Sequence, residues 1–309
     1  MYLSVVIPAF NESENIPETL AELQILLKQT SCVDQYEIIV VDDHSSDKTF
    51  EAVAALAQPE IKAVRLSRKS GSHVAIRAGL TKTSGDAALC ISADGQEDIT
   101  ILRKMLDKWT AGAQVIWGLR MDRKGEQWLV RKLAELFYRL LLWLGHTRNN
   151  NIDIARADFF LLDNTVVRAI NACPERNTSL MGLLVWLGYV ADFVEYERRP
   201  RRHGFSRWSL KTRFHLAKDW IVAFSGIPLK LISMCGFCVA IIGFLYGIYV
   251  IINAIVGNPA SGWSSIMVAI FLLGGVQMIM LGIMGEYLWR CLDETRNRPL
   301  FFIEKEIKL

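Results

Sequence analysis

The chain has 309 residues, of which 51% are hydrophobic and 22% are charged, with a formal net charge of +3 at pH 7. This composition excludes intrinsic disorder, which requires low hydrophobicity and high net charge. The small charge also argues against a dedicated nucleic-acid-binding protein. With 6 cysteines, 21 glycines and 8 prolines, the chain is neither a disulfide scaffold nor a collagen-like repeat.

Strand and helix patterns alternate over roughly the first 120 residues. Asn11 or Ser13 is expected to cap a helix that reaches about Leu27. Polar clusters follow the predicted strands, and ligands of open α/β sheets bind beyond the carboxyl ends of strands, so we expect these clusters to converge on one site. The pattern predicts a mostly parallel α/β sheet, with strands at Leu3–Ile7, Glu37–Val41, Ile61–Leu66, Ala87–Ile91 and Gln114–Trp117.

Adjacent carboxylates, Asp42 and Asp43, end the second predicted strand. Carboxylates in this place can accept hydrogen bonds from a base N–H and from ribose hydroxyls. The alternative is a capped turn, and this is the favoured interpretation of Asp47.

A second acidic cluster, formed by Asp94, Glu97 and Asp98, follows the fourth predicted strand. Oxygen ligands of this kind suit Mg²⁺ or Mn²⁺, which would bridge a diphosphate. The alternative is a polar turn with helix-capping acids, and Asp98 fits that interpretation well.

Two runs near the C-terminus carry no charged residue: Leu231–Val256, with 26 residues, and Ser264–Gly285, with 22. About 20 apolar residues in a helix cross a bilayer core, so these runs predict two transmembrane helices rather than two buried core helices. Lys and Arg flank the pair on both outer sides. The positive-inside rule then predicts a multi-pass inner-membrane protein whose N-terminal domain and both termini are cytoplasmic.

Several motifs resemble family 2 glycosyltransferases of the GT-A fold. Within that family the chain is similar to membrane-anchored polyprenyl-phosphate glycosyltransferases, such as bactoprenol glucosyltransferases and dolichyl-phosphate mannose synthases. The resemblance runs through essentially the whole chain and rests on Val6–Glu12, Asp42-Asp43, Asp94 with Gln96, Ala157–Phe159, Gly204–Trp208 and Leu273–Gln277.

This resemblance implies a Rossmann-like catalytic domain over residues 1–207. A basic amphipathic helix rich in aromatic residues is expected within this domain at about 127–144, and a second one is expected after it at 208–228. Both are expected to lie in a membrane interface, and a helix packed on the soluble core is the alternative. A two-helix anchor over 229–288 and a cytoplasmic tail over 289–309 complete the expected organisation.

The implied reaction moves a hexose, with inversion, from a nucleotide-diphosphate sugar to undecaprenyl or another polyprenyl phosphate. UDP-glucose or a similar UDP-hexose is the expected donor, and Mg²⁺ or Mn²⁺ the expected cofactor. The lipid bilayer is an expected partner, a homo-oligomer is left open, and nucleic acid is not expected. The product would serve O-antigen or other envelope glycan modification.

The motif matches assign roles to individual residues. The implied catalytic residues are Asp94, which is also the metal ligand, and Asp158. Arg120 and Arg123 join them because they lie just past a predicted strand end, where they could hold the lipid phosphate, and a solvated loop charge is the alternative for Arg123. The implied substrate-binding residues are Pro8, Asn11, Glu12, Asp42, Asp43, Arg68, Gln96, Ser206 and Arg207. Arg198 and Arg199 belong to a basic stretch that we expect to act mainly as a charged surface.

Two departures from the family pattern bear on activity. Ser92 stands where the family usually has the first acid of Asp-x-Asp, and Glu97 is expected to supply the missing charge. Phe160 stands where a basic residue is common. They favour one alternative, a catalytically degenerate membrane scaffold that binds a nucleotide sugar. An enzyme that extends a lipid-linked oligosaccharide is a second alternative.

Overall fold

The computed structural model describes residues 1–56, 58–121, 156–176, 178–199, 227–256 and 262–308. The chain divides into two compact units, residues 1–214 with 299–309, and residues 215–298. In chain order the first unit contains β1 (Tyr2–Ala9), α1 (Ile16–Gln29), β2 (Gln35–Asp42), α2 (Thr49–Ala54), β3 (Ile61–Leu66), α3 (Ser72–Leu80), β4 (Ala87–Cys90), α4 (Leu102–Thr110), β5 (Val115–Arg120), β6 (Ala157–Asp163), α5 (Asn164–Ala172), α6 (Leu180–Trp186), β7 (Ala191–Tyr196) and β8 (Ile303–Lys308).

The strands form one mixed sheet in the order β7-β5-β6-β4-β1-β2-β3-β8. The pairings β1–β2, β1–β4, β2–β3 and β5–β7 are parallel. Strand β6 runs antiparallel to β4 and β5, and β8 runs antiparallel to β3. The predicted α/β sheet is therefore confirmed, although its margins are more mixed than expected. Strand β8 was not among the predicted strands.

Alternate residues of β1 face two apolar layers, as the twofold repeat of a strand requires. Leu3, Val5 and Ile7 pack with α1, α2 and α4, whereas Val6 packs with α3, α5 and α6. Helix α3 lies very close to the sheet at Gly79, where an added Cβ would be 2.3 Å from Val6 Cγ1. Only glycine allows this approach without movement of the strand.

The order of the strands reverses between β1 and β4, because β2 and β3 lie on one side of β1 and β4 lies on the other. Crevices at such reversal points bind ligands in open α/β sheets. The loops after β1 and β4 border this crevice. Thr19 Oγ1, in α1, donates a hydrogen bond of 3.1 Å to the Ala93 carbonyl and so ties the second loop to the helix that follows the first.

The second unit contains two helices, α7 (Ile227–Ile255) and α8 (Trp263–Thr295). Within the described part of the chain, no helix has both the length and the apolar character needed to span a bilayer. The predicted pair of transmembrane helices, and with it the multi-pass inner-membrane location, is wrong on this finding. That prediction rested on runs free of charge, and freedom from charge does not by itself make a span. The expected interfacial helix at about 127–144 lies outside the described residues, as does the one at 208–228 except for its last two residues.

Candidate functional site

The loops that follow β1 and β2 are bonded to each other. Asn11 adopts a left-handed backbone conformation with φ of 55°, which Asn tolerates better than most residues. Its backbone N–H donates to Ser45 Oγ at 2.9 Å, and its side-chain oxygen accepts from Ser46 N at 2.9 Å. The Glu12 N–H donates to Thr49 Oγ1 at 3.0 Å. Pro8 lies beside Val41 in the β1–β2 register, one residue before the edge of the sheet.

The carboxylates of Asp42 and Asp43 are buried, and each accepts hydrogen bonds from its surroundings. Asp42 accepts from Arg65 Nη1 at 2.7 Å and from Ser45 N at 2.9 Å. Asp43 accepts from the backbone N–H groups of Ser70 at 2.6 Å and Gly71 at 2.8 Å. Burial raises the pKa of Asp43 above its ordinary value, and these hydrogen bonds offset only part of that effect.

Asp47 has the capping role that its sequence context favoured. Its carboxylate accepts from Thr49 N at 3.0 Å and from Ser13 N at 3.2 Å. These bonds join the start of α2 to the loop after β1. Asp47 therefore supports the loop that carries Asp42 and Asp43.

The loop after β4 gathers two carboxylates on one hydroxyl. Ser92 Oγ lies 2.6 Å from Asp94 Oδ1 and 2.6 Å from the Glu97 carboxylate. A hydroxyl has one proton, so it donates to only one carboxylate at a time. Glu97 is buried with 6% of its surface exposed, so its charge is held in place close to that of Asp94. Asp98 instead caps a turn by accepting from Thr100 N at 3.2 Å, as its sequence position suggested.

Arg198 and Arg199, which follow β7, bind this same loop. Arg198 Nη2 donates to Gln96 Oε1 at 2.7 Å, and the Arg199 N–H donates to the Gln96 carbonyl at 2.9 Å. The Arg199 guanidinium contacts Glu22 at 2.5 Å and Asp98 at 2.9 Å. Its hydrogen bond to Glu22 is the largest cause of a raised Arg199 pKa. The expectation that these two arginines act mainly as surface charges is wrong.

The register of β6 places further candidates at the same edge of the sheet. Ala157 pairs with Leu119, and Phe160 pairs with Cys90, so antiparallel β6 begins where β4 and β5 end. Asp158 lies in the bulge of that pairing, and Arg120 is the last residue of β5. The backbones of Asp158 and Arg120 therefore belong to the edge that carries Asp94. Arg68 follows β3 and is exposed.

The remaining predicted site residues, Arg123, Ser206 and Arg207, lie outside the described residues. Sequence reasoning missed Arg65, because β3 carries two cations, Lys62 and Arg65, and nothing local marks Arg65 as the partner of Asp42. It also missed the link from Arg198 to Gln96, which joins residues 102 positions apart and leaves no local pattern.

The donor set at Asp94 and Glu97 fits a hard divalent cation. Among the residues that the structure describes, no group of three or more His, Cys, Asp and Glu side chains is placed to hold a metal ion. Mg²⁺ is usually bound by one or two carboxylates together with substrate phosphates, so a complete protein cage is not needed. Two carboxylates that meet at Ser92 match that requirement.

Comparison with family models gives two matches along the chain. A model described as glycosyl transferase family 2 matches residues 4–169. A model described as the GtrB C-terminal hairpin matches residues 227–290. The two matches cover most of both compact units.

Individual relatives match nearly the full length. An uncharacterized glycosyltransferase of Synechocystis sp. is 37% identical over 304 residues, covering 97% of this chain and 94% of that protein. The SfII prophage-derived bactoprenol glucosyl transferase of Shigella flexneri is 38% identical over 313 residues, covering 99% of this chain and 98% of that protein. The crystal structure of glucosyl-3-phosphoglycerate synthase from Mycobacterium tuberculosis with Mn²⁺, UDP-glucose and phosphoglyceric acid gives a TM-score of 0.53 at 19% identity, covering 72% of this chain and 78% of that chain. That last likeness concerns the fold alone.

Proposed function

Since the chain belongs to glycosyl transferase family 2, we propose that it transfers glucose, or a similar hexose, from a UDP-sugar to undecaprenyl or another polyprenyl phosphate. The observation that carries this proposal is the 38% identity to a bactoprenol glucosyl transferase over 99% of the chain. The relation extends through both the transferase domain and the C-terminal hairpin, so it concerns the whole protein rather than a shared fold.

The donor nucleotide is proposed to bind at the loops after β1 and β2. Asp42 is the last residue of β2 and Asp43 follows it, Asn11 and Glu12 belong to the loop after β1, and Arg68 follows β3. Pro8 lies beside Val41 in the β1–β2 register. The bonds between these loops hold the two carboxylates in fixed positions before a ligand arrives, which reduces the cost of ordering them on binding. Asp43 accepts two backbone N–H bonds and still has lone pairs for a base or ribose group.

Asp94, supported by Glu97 and Gln96, is proposed to hold Mg²⁺ or Mn²⁺. When bound there, the cation would neutralise charge on the leaving diphosphate. This chain's own contribution is to keep two carboxylates together through Ser92 and to fix Gln96 through Arg198. In this proposal Glu97 replaces the charge that the family usually carries at position 92.

The acceptor needs little activation, because a polyprenyl phosphate is already an anion. An acceptor oxygen would attack the anomeric carbon from the face opposite the UDP, the bond to the UDP oxygen would break, and the configuration would invert. The requirement is alignment and charge neutralisation rather than a strong base. We assign phosphate binding to Arg120, Arg123, Ser206 and Arg207, and sugar or acceptor positioning to Asp158.

Arg198 is a further candidate for a phosphate ligand in this proposal. Its Nε is buried and has no hydrogen-bond partner in the described part of the chain. An unpaired buried donor carries a desolvation cost, and an anion at this position would remove that cost. The neighbouring bond from Arg198 to Gln96 keeps the guanidinium beside the loop of Asp94.

The test is transfer from labelled UDP-glucose, UDP-galactose and GDP-mannose to polyprenyl phosphate, with Mg²⁺, Mn²⁺ or EDTA. We expect a glucosylated lipid with inverted configuration from UDP-glucose when a divalent cation is present. Transfer only to a lipid-linked oligosaccharide would favour the extending enzyme. Nucleotide binding without transfer from any donor would overturn the assignment and favour a degenerate scaffold.

A further inference from the structure

The C-terminal strand β8 reaches the donor loop through one side chain. Strand β8 pairs with β3, and the register shifts between Arg65 and Leu66, so that Arg65 pairs with Lys305 while Leu66 pairs with Ile303. Glu304 is the extra residue of this β-bulge. Bulges commonly redirect a side chain, and here the Glu304 carboxylate contacts Arg65 Nε at 3.3 Å.

Arg65 divides its guanidinium between the C-terminal strand and the loop after β2. While Nε donates to Glu304, Nη1 donates to Asp42 Oδ2 at 2.7 Å and Nη2 donates to the Ser45 carbonyl at 3.0 Å. The planar fork of arginine fixes the direction of all three bonds. The orientation of Asp42 is therefore linked to the position of Glu304.

A second contact joins the same two elements. His44 has a left-handed backbone with φ of 57°, which places its ring beside β3 and β8. Its Nδ1 lies 3.2 Å from the Leu66 carbonyl and 3.5 Å from Glu304 Oε2. Both neighbours are acceptors, so Nδ1 carries the proton. The Glu304 carboxylate thus contacts His44, which lies within the loop after β2, and Arg65, which binds Asp42 and Ser45.

We propose that Glu304 is a positioning residue for donor binding, which orients Asp42 through Arg65. This inference rests on the proposed function, because it assumes that Asp42 binds the nucleoside of the donor. Glu304 touches no substrate in this scheme. The charge of Glu304 restricts Arg65 to the rotamer that donates a hydrogen bond to Asp42. Strand β8 thereby takes part in donor recognition through Arg65 and Asp42.

The chain provides a matched control in the same strand. Glu306 lies two residues along β8 and pairs with Lys82 Nζ at 2.6 Å, away from the donor loop. Glu304→Gln removes the charge that contacts Arg65 and His44, whereas Glu306→Gln removes the charge that pairs with Lys82, and both glutamates are partly exposed on the same edge strand. A purely structural role for β8 predicts the same behaviour for both variants.

The experiment measures UDP and GDP affinity by calorimetry on the full chain, alongside denaturation midpoints. We expect Glu304→Gln to raise the Kd for UDP about two- to fivefold, the range that an exposed ion pair supports. We expect Glu306→Gln to leave the Kd for UDP unchanged. The denaturation midpoint should fall by a similar amount in Glu304→Gln and Glu306→Gln. Arg65→Lys is expected to weaken UDP binding too, and adding Glu304→Gln to it is expected to cost little more, because both act through one guanidinium.

Equal Kd values for the wild type and Glu304→Gln would overturn the inference, as would equal losses in the two glutamine variants. A wild type that binds neither UDP nor GDP would overturn it as well. A wild type that binds UDP but transfers no sugar would overturn the proposed function alone, because the positioning role is measured by binding.

Discussion

The loop after β4 gives the sharpest prediction about the proposed chemistry. Asp94 and Glu97 both contact Ser92 Oγ at 2.6 Å. Their charges therefore lie within about 5 Å of each other, a separation at which two unit charges repel by roughly 3 kcal/mol at an effective dielectric constant of about 20. A divalent cation would convert this repulsion into attraction. The charge of Glu97 should then affect cation affinity much more than it affects folding.

Glu97→Gln tests this reasoning, since it keeps the size of the side chain and removes its charge. We expect the Mn²⁺ or Mg²⁺ concentration for half-maximal sugar transfer to rise about 10- to 100-fold, as found when a residue supporting a metal site is lost. The rate at saturating cation should change less. Asp98→Asn is the matched control, because Asp98 belongs to the same loop but caps Thr100 N instead. Identical cation titrations for Glu97→Gln and the wild type would refute the reasoning.

Three further predictions concern the metal, the core and acid stability. EDTA should abolish transfer and excess Mn²⁺ should restore it in the wild type but not in Asp94→Asn, as measured by lipid-product formation. Gly79→Ala should lower the free energy of unfolding in urea by about 1–3 kcal/mol, because its Cβ would lie 2.3 Å from Val6 Cγ1, and Val6→Ala should recover part of the loss. Burial raises the pKa of Glu37, but hydrogen bonds led by that from Lys62 outweigh it and hold the pKa below the ordinary value of 4.5. Its contribution to stability is therefore complete above about pH 4.5 and is lost as the pH falls further. We expect the free energy of unfolding of Glu37→Gln to be about 3 kcal/mol below that of the wild type at pH 7, and urea titrations at lower pH should show this difference shrinking.

The predictable part of the fold was the part whose signal is local. Runs such as Ile38–Val41 in β2 are apolar and β-branched, so their strand character follows from composition over a few residues. Strand β8 has the sequence IEKEIK, in which charge outweighs apolar residues. Its place at the edge of the sheet comes from pairing with β3, about 240 residues earlier in the chain, and no local pattern encodes such a partner. The helices of the second unit follow the same rule. The two runs free of charge predicted that helices would form there, but they did not predict whether those helices could span a bilayer.

The candidate site divides in the same way. Asp42, Asp43 and Asp94 could be predicted because each follows a strand and the carboxyl ends of the parallel strands meet at one edge. The partners that orient them could not be predicted. Arg65 comes from β3, Arg198 follows β7, and Glu304 owes its direction to a bulge in a strand pairing. Chemistry-bearing residues thus had a local signature, whereas the residues that hold them in place had none.

This difference has a consequence for the serine at position 92. From the sequence alone, its presence in place of an acid suggested a weakened metal loop or a degenerate site. In the structure, its hydroxyl lies at 2.6 Å from each of two carboxylates, and one of them comes from Glu97, three residues after Asp94. The loop therefore keeps two acids close together, with a neutral hydroxyl between them at the position where the family usually has an acid. A neutral donor reduces the mutual repulsion of the carboxylates before a cation arrives, and it also lowers the total negative charge that the cation meets. Ser92→Asp should consequently tighten cation binding while it lowers the stability of the cation-free protein, and a variant that changed neither quantity would show that the loop does not bind metal through these acids.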